Sequence, residues 1–243
     1  VTYILNSIMA ESLVEFRSRV DERMEKREVL QEAVMAVVKE FLMESKDIRF
    51  EGNGYSPEWR QEAEKRGLLA VSNFPEAYES YLSKGSVSLF TRLGVLSKSE
   101  IQARYEVLNE TYVKKLQIEA RVIGDICLNH VIPAAVNYQN VLIRSIQGCK
   151  EVFEADYVNL CEAEIATYKK IAGLINNLFS DVEKLVAARK KANAVEDIAK
   201  RAKLYSTEVM GWMEKIRQNA DLLEMLVDDE LWPMPKYREL LFF

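Results

Sequence analysis

Between Ser97 and about Gln147, apolar residues recur at steps of three and four: Ile101, Tyr105, Leu108, Tyr112, Leu116, Ile123, Cys127, Ala134, Tyr138 and Val141. That period belongs to one side of an α-helix, and no alternating component competes with it. Ser97 and Glu100 have the spacing of a capping box, which marks the start. A helix of roughly 50 residues is about 75 Å long. It cannot cover its own apolar side, so other helices of the chain must lie along it.

The rest of the sequence supplies them. Ile4, Ile8, Leu13, Phe16, Val20 and Met24 predict an amphipathic helix over about 3–24, and Val29, Ala33, Val37, Val38 and Phe41 predict a second to about Ser45. Ile48-Arg49-Phe50-Glu51 alternates and is compatible with a short strand ending at Gly52-Asn53-Gly54. Ser56-Pro57-Glu58 opens a helix with a serine cap and a first-turn proline, and Gly67 closes it. Short helices follow near Pro75 and around Leu89–Leu93. After Gly148, the spacing Cys161, Ile165, Tyr168, Ile171, Ile175, Leu178, Val182, Leu185 approaches a heptad repeat. Beyond a break at 191–194, Val195, Ile198, Ala202, Tyr205, Val209, Met213 and Ile216 define one more helix.

Short joints between long helices make neighbours antiparallel. The expected fold is all-α: an elongated antiparallel bundle of long helices with a smaller connector. The expected parts are N-terminal helices over 1–45, a connector over 46–96 and the long-helix bundle with its tail over 97–243. Pro133 lies inside the organising helix and predicts a kink near 129–132. The bend either follows a core or positions a subunit contact.

Charge excludes some functions. There are 33 basic and 38 acidic residues, interspersed, for a net charge of −5. No basic face for nucleic acid or an anionic membrane stands out. No apolar run approaches the roughly 20 residues of a bilayer span, so no membrane is expected as a partner. Cys127, Cys149 and Cys161 form no CxxC pair and sit among apolar helical neighbours, as buried free thiols of a reducing, cytoplasmic compartment do. The chain starts at Val1 within a helical pattern, the mark of a piece of something longer.

Few residues offer chemistry. His130 is the only histidine and falls on the apolar stripe beside Cys127 and Ala134, where a hydrogen-bonded core residue is expected. Paired Glu-x-x-His ligands of a di-iron bundle cannot be assembled from one histidine. Gly52-Asn53-Gly54 lacks both the third glycine of a dinucleotide loop and the Gly-Lys-Ser/Thr of a P-loop. Asp228-Asp229-Glu230 are adjacent carboxylates, but neighbours in sequence point different ways. They precede Leu231-Trp232-Pro233-Met234-Pro235 and a tail ending Leu240-Leu241-Phe242-Phe243. So apolar a segment should be covered, by the body of the chain or by a neighbouring subunit.

That tail, Val227-Asp228-Asp229-Glu230-Leu231-Trp232-Pro233-Met234-Pro235-Lys236-Tyr237-Arg238-Glu239-Leu240-Leu241-Phe242, resembles the C-terminus of type III glutamine synthetases. Three further stretches resemble the same family in the same order: Leu5 to Leu13, Phe50 to Ser56 through Glu62 to Leu68, and Glu119-Ala120 with Ile132-Pro133-Ala134 and Asn137-Tyr138-Gln139. Arg49 and Glu51 depart from the apolar or asparagine-containing run expected around Phe50.

The resemblance implies the C-terminal helical part of a ligase that uses ATP and Mg²⁺ to join ammonia to glutamate through a γ-glutamyl phosphate. It implies a double-ring homo-oligomer and an upstream catalytic domain that carries the metal-binding carboxylates, the ammonia site and the glutamate-holding arginine. No catalytic, cofactor or metal position of the family falls on a residue here. The residues expected to matter for structure and interaction are Pro133, Asp228, Asp229, Trp232, Pro233 and Tyr237. The rival reading is a stand-alone helical scaffold or adaptor that binds a partner helix through the near-heptad helices after Tyr157.

Overall fold

A computed structural model of the chain describes residues 2–69, 71–236 and 239–241. Every regular element among the described residues is helical, and none is a strand. The chain divides into two compact units, 1–108 and 109–243.

In the first unit, α1 (Thr2–Glu25) and α2 (Leu30–Glu44) form an antiparallel pair. Val20 packs on Ala33 and Val37, with Phe16, Val34 and Phe41 around them. Arg19 bridges to Glu44 at 2.7 Å and Arg23 to Glu40, which fixes the register. The reversal between the helices has Arg27 at φ +70°, a left-handed conformation that charged residues rarely adopt.

The alternating segment after α2 is not a strand. Lys46–Ile48 is a 3₁₀ turn, and Arg66 holds the following backbone by donating to the Asp47 and Arg49 carbonyls at 3.2 and 3.0 Å. The four alternating residues, Ile48 to Glu51, have no strand to pair with among the described residues. Phe50 instead stacks on Trp59 at 4.2 Å, and a Cβ on Gly52 would fall 2.7 Å from the Phe50 ring, so a larger residue there would have to push that ring aside.

α3 (Pro57–Lys65) starts where its sequence signals place it, with the Trp59 N–H donating to Ser56 Oγ at 3.3 Å. Gly67, at φ +72°, ends it. α4 (Phe74–Glu79) is capped by Asn73 and α5 (Lys84–Arg92) by Ser83. Phe90, Leu96 and Ile101 form a small core with Tyr3, Ile4, Tyr81 and Val87.

The organising helix is α6 (Lys98–Ile126) and α7 (Ile132–Phe153), joined by a π turn at Cys127–Val131. Its capping box is complete: the Ser97 N–H donates to Glu100 at 2.8 Å and the Glu100 N–H to Ser97 Oγ at 3.3 Å.

In the second unit, α8 (Tyr157–Leu160) turns the chain into α9 (Glu162–Asn193), and α10 (Ile198–Leu204) leads through a second π turn, Tyr205–Val209, into α11 (Met210–Glu224). Gln139 donates to the Tyr168 carbonyl at 3.2 Å, and Gly124 faces Val182, so α9 returns antiparallel to the organising helix. Asn219 donates to Asp181 at 3.0 Å and Lys191 pairs with Glu208 at 2.7 Å, so α11 runs antiparallel to α9. Ile171, Leu178, Leu185, Tyr205, Val209, Ile216 and Leu223 are wholly buried or nearly so, and this three-helix core is the largest among the described residues.

Candidate functional site

The residues singled out by sequence fall in two separate places in the second unit. Pro133 sits on the second residue of α7 and is exposed. Lacking an N–H, it cannot donate to the turn before it. The chain answers by widening that turn: the Ile132 N–H bonds to the Cys127 carbonyl, five residues back. The expected irregularity at 129–132 is therefore a π turn. It inserts one residue into the helical register. Downstream of it, Val141 is exposed, while Leu142 and Ile146 enter the core. His130 is exposed as well, because Val131 takes the buried slot that a regular helix would have given it.

The tail is the second place. Past α11, the Val227 N–H donates to the Leu223 carbonyl at 2.8 Å, and Val227 enters the core. Asp228 then organises a turn: its Oδ1 accepts from the Glu230 N–H at 2.8 Å, and its carbonyl accepts from the Leu231 and Trp232 N–H groups at 3.1 and 3.0 Å. The turn places the Trp232 indole in the same core, 7% exposed, with Leu231 packed beside it. Lys236 locks the far side by donating from Nζ to the Val227 carbonyl at 2.9 Å and pairing with Asp229. Asp228 thus shapes the backbone, and Asp229 pairs with a lysine.

Trp232 thus packs into the core of its own chain. Pro233 is exposed, as are Leu240 and Leu241 further on. Tyr237 lies outside the described residues.

Three features had no signal in the sequence. The π turn at Tyr205–Val209 contains no proline. It buries Tyr205 completely, and the phenol donates to Asn193 Oδ1 at 2.8 Å. Burial pushes that phenol above the ordinary tyrosine range, against the pull of Arg189, Arg201 and Arg121 nearby. Cys149 and Cys161, twelve residues apart, come together at the joint between α7 and α9, and the neighbouring Cys149 thiol, with burial, pushes the Cys161 thiol up to about 11. In the first unit, an open cavity of about 440 Å³ is lined by Tyr3, Tyr81, Glu100, Arg104, Val107 and Leu108. The Tyr3 and Tyr81 hydroxyls meet there at 3.2 Å, and Arg104 lies over the Tyr3 ring at 5.2 Å.

Among the described residues, no three acidic, histidine or cysteine side chains converge on one point. No helix among them is long and apolar enough to cross a membrane. What the molecule presents is packed helical surface and a tail clamped to it.

Residues 33–150 match the family model for the glutamine synthetase C-terminal domain. Across 98% of its length the chain is 40% identical to a glutamine synthetase of Bacteroides fragilis (strain YCH46), covering 33% of that protein. It is 30% identical to the type-3 glutamine synthetase of Dictyostelium discoideum, covering 98% of this chain and 32% of the relative. A glutamine synthetase of Butyrivibrio fibrisolvens is 32% identical over 88% of the chain and 30% of its own length. The chain thus spans about a third of the length of the curated relatives it matches.

Proposed function

The chain belongs to the glutamine synthetases, as their C-terminal region, and from that premise we propose that it provides contact surface and support within a longer enzyme. The full-length protein would ligate ammonia to glutamate with ATP and Mg²⁺, by way of a γ-glutamyl phosphate. The observation that carries this reading is the 40% identity that runs through 98% of the chain to a glutamine synthetase three times as long. Metal-assisted phosphoryl transfer needs carboxylates gathered on divalent ions and a basic clamp on the developing charge. An upstream domain of the same polypeptide would supply these groups. The helices of this region would bear on that domain and on neighbouring copies in a double-ring homo-oligomer.

A cytoplasmic location fits the three free thiols. Nucleic acid and membrane have no place in this reading. Pro133, Pro233 and Tyr237 would serve subunit or domain contacts, and Asp228, Asp229 and Trp232 the docking of the tail that supports them.

The test compares three preparations for ATP-dependent glutamine formation and for size in solution: the full-length protein, residues 1–243 alone, and the full-length protein lacking 1–243. Activity and assembly only in the first supports the proposal. Glutamine formation by residues 1–243 alone overturns it.

A further inference from the structure

The N-terminal half of α1 buries a mixed side against α5: Tyr3 and Ile4 pack on Phe90, Leu96 and Ile101, Ser7 is buried with its hydroxyl donating to the Tyr3 carbonyl at 2.8 Å, and Glu11 pairs with Arg92. Tyr3 meets Phe90 on the same side, with ring centroids 5.9 Å apart. Successive residues turn by about 100° along a helix of 3.6 residues per turn. Leu5, Ile8, Met9 and Leu13 therefore share the opposite side, and they are 61%, 49%, 61% and 61% exposed. Sequence periodicity placed Ile8 and Leu13 on the packed side, and the structure leaves both in the open. No charged residue occurs from Thr2 to Ala10 to keep this face in water. Four large apolar side chains so exposed make a continuous patch on the order of 400 Å², the size at which an apolar patch marks an interaction site.

Area decides what covers it. Two copies of the patch face to face would bury about 800 Å² in total, below the roughly 1,200–2,000 Å² of a stable interface between separate chains. A segment tethered on the same polypeptide needs far less, because its effective concentration reaches millimolar. The relatives supply such a segment: about two thirds of their length lies outside the region this chain matches. We infer that the Leu5–Ile8–Met9–Leu13 face of α1 is the docking surface for the remainder of the same full-length polypeptide, which packs on it as one domain on another. The inference rests on reading the chain as the C-terminal region of a longer glutamine synthetase, and it fixes which face of which helix that longer protein uses.

The test places photoreactive benzoylphenylalanine at position 9, and separately at position 55, in the full-length protein. Tyr55 is 95% exposed and lies off the patch. Isotopically light and heavy chains are mixed before irradiation, and cross-linked peptides are read by mass spectrometry. The expected product joins position 9 to a peptide from outside residues 1–243 of the same chain, with a yield several-fold above that at position 55. A cross-link between light and heavy chains, a cross-link to another part of residues 1–243, or a yield no higher than at position 55 overturns the inference. Glutamine formation by the unsubstituted protein is measured alongside. A full-length protein that forms glutamine without the cross-link loses only the α1 surface, and one that cross-links but forms no glutamine loses only the enzymatic reading.

Discussion

Replacing Trp232 with alanine tests whether the tail is part of the folded body. A tryptophan buries about 200 Å² of surface, which at about 25 cal/mol per Å² corresponds to roughly 5 kcal/mol. Alanine retains a little of that burial, and a compact denatured state already hides some of it, so about 3–4 kcal/mol is expected. The indole is 7% exposed and shares the core that contains Leu223 and Ile216, so the site cannot fill with water without disturbing both. By contrast, Lys236→Ala removes one hydrogen bond to the Val227 carbonyl and one half-exposed ion pair to Asp229, and should cost only about 1 kcal/mol. Equilibrium urea unfolding followed by circular dichroism reads both without relying on tryptophan fluorescence. For a chain of this size, the Trp232→Ala loss should lower the melting temperature by roughly 6–16 °C. A loss below about 1 kcal/mol, or one no larger than that of Lys236→Ala, would mean that the tail is not docked as described.

Further outcomes follow from the interior. Leu142→Ala should destabilise by about 2–4 kcal/mol and Val141→Ala by less than about 0.5, since the π turn moves Leu142 inward and leaves Val141 outside; equal losses in denaturant titrations would contradict the shifted register. Asn219→Leu deprives the buried Asp181 carboxylate of its 3.0 Å donor and should cost about 1–3 kcal/mol by the same assay. Burial and then the Tyr3 hydroxyl push the Tyr81 phenol up to about 12, so its contribution to stability is complete below about pH 10 and fades as pH rises through 12. In an absorbance titration near 295 nm, one late phenol should vanish in Tyr81→Phe, and an unchanged curve would refute this.

Local signals were readable because the atoms that carry them are neighbours in sequence. Ser97 with Glu100, Ser56 with Pro57, and Gly67 each act within four residues, and each does what its spacing predicts. The apolar stripe was readable for the same reason through Cys127, Ala134 and Tyr138; His130, inside the π turn, is exposed, and further along Leu142 rather than Val141 is buried. Pro133 announced an irregularity there, but a kink and a widened turn both satisfy a missing N–H, and only the packing of Val131 and Ile132 against the core selects the second. The tail was legible as apolar and in need of cover. Which core receives Trp232 depends on a turn built from one Asp228 carbonyl and one Lys236 ammonium, and composition does not encode that geometry. Helix α1 was legible in part: Ile4, Phe16 and Val20 are packed as the period predicts, while Ile8, Leu13 and Met24 are exposed. Periodicity identifies which side of a helix is more apolar, and a folding chain ordinarily packs that side first. Here the chain satisfies Ser7 and Glu11 internally and leaves Leu5, Met9 and Leu13 outside. If the Leu5–Ile8–Met9–Leu13 face docks as inferred above, the exposed part of that apolar period reports burial in a longer polypeptide, and the part that packs here reports burial within this region.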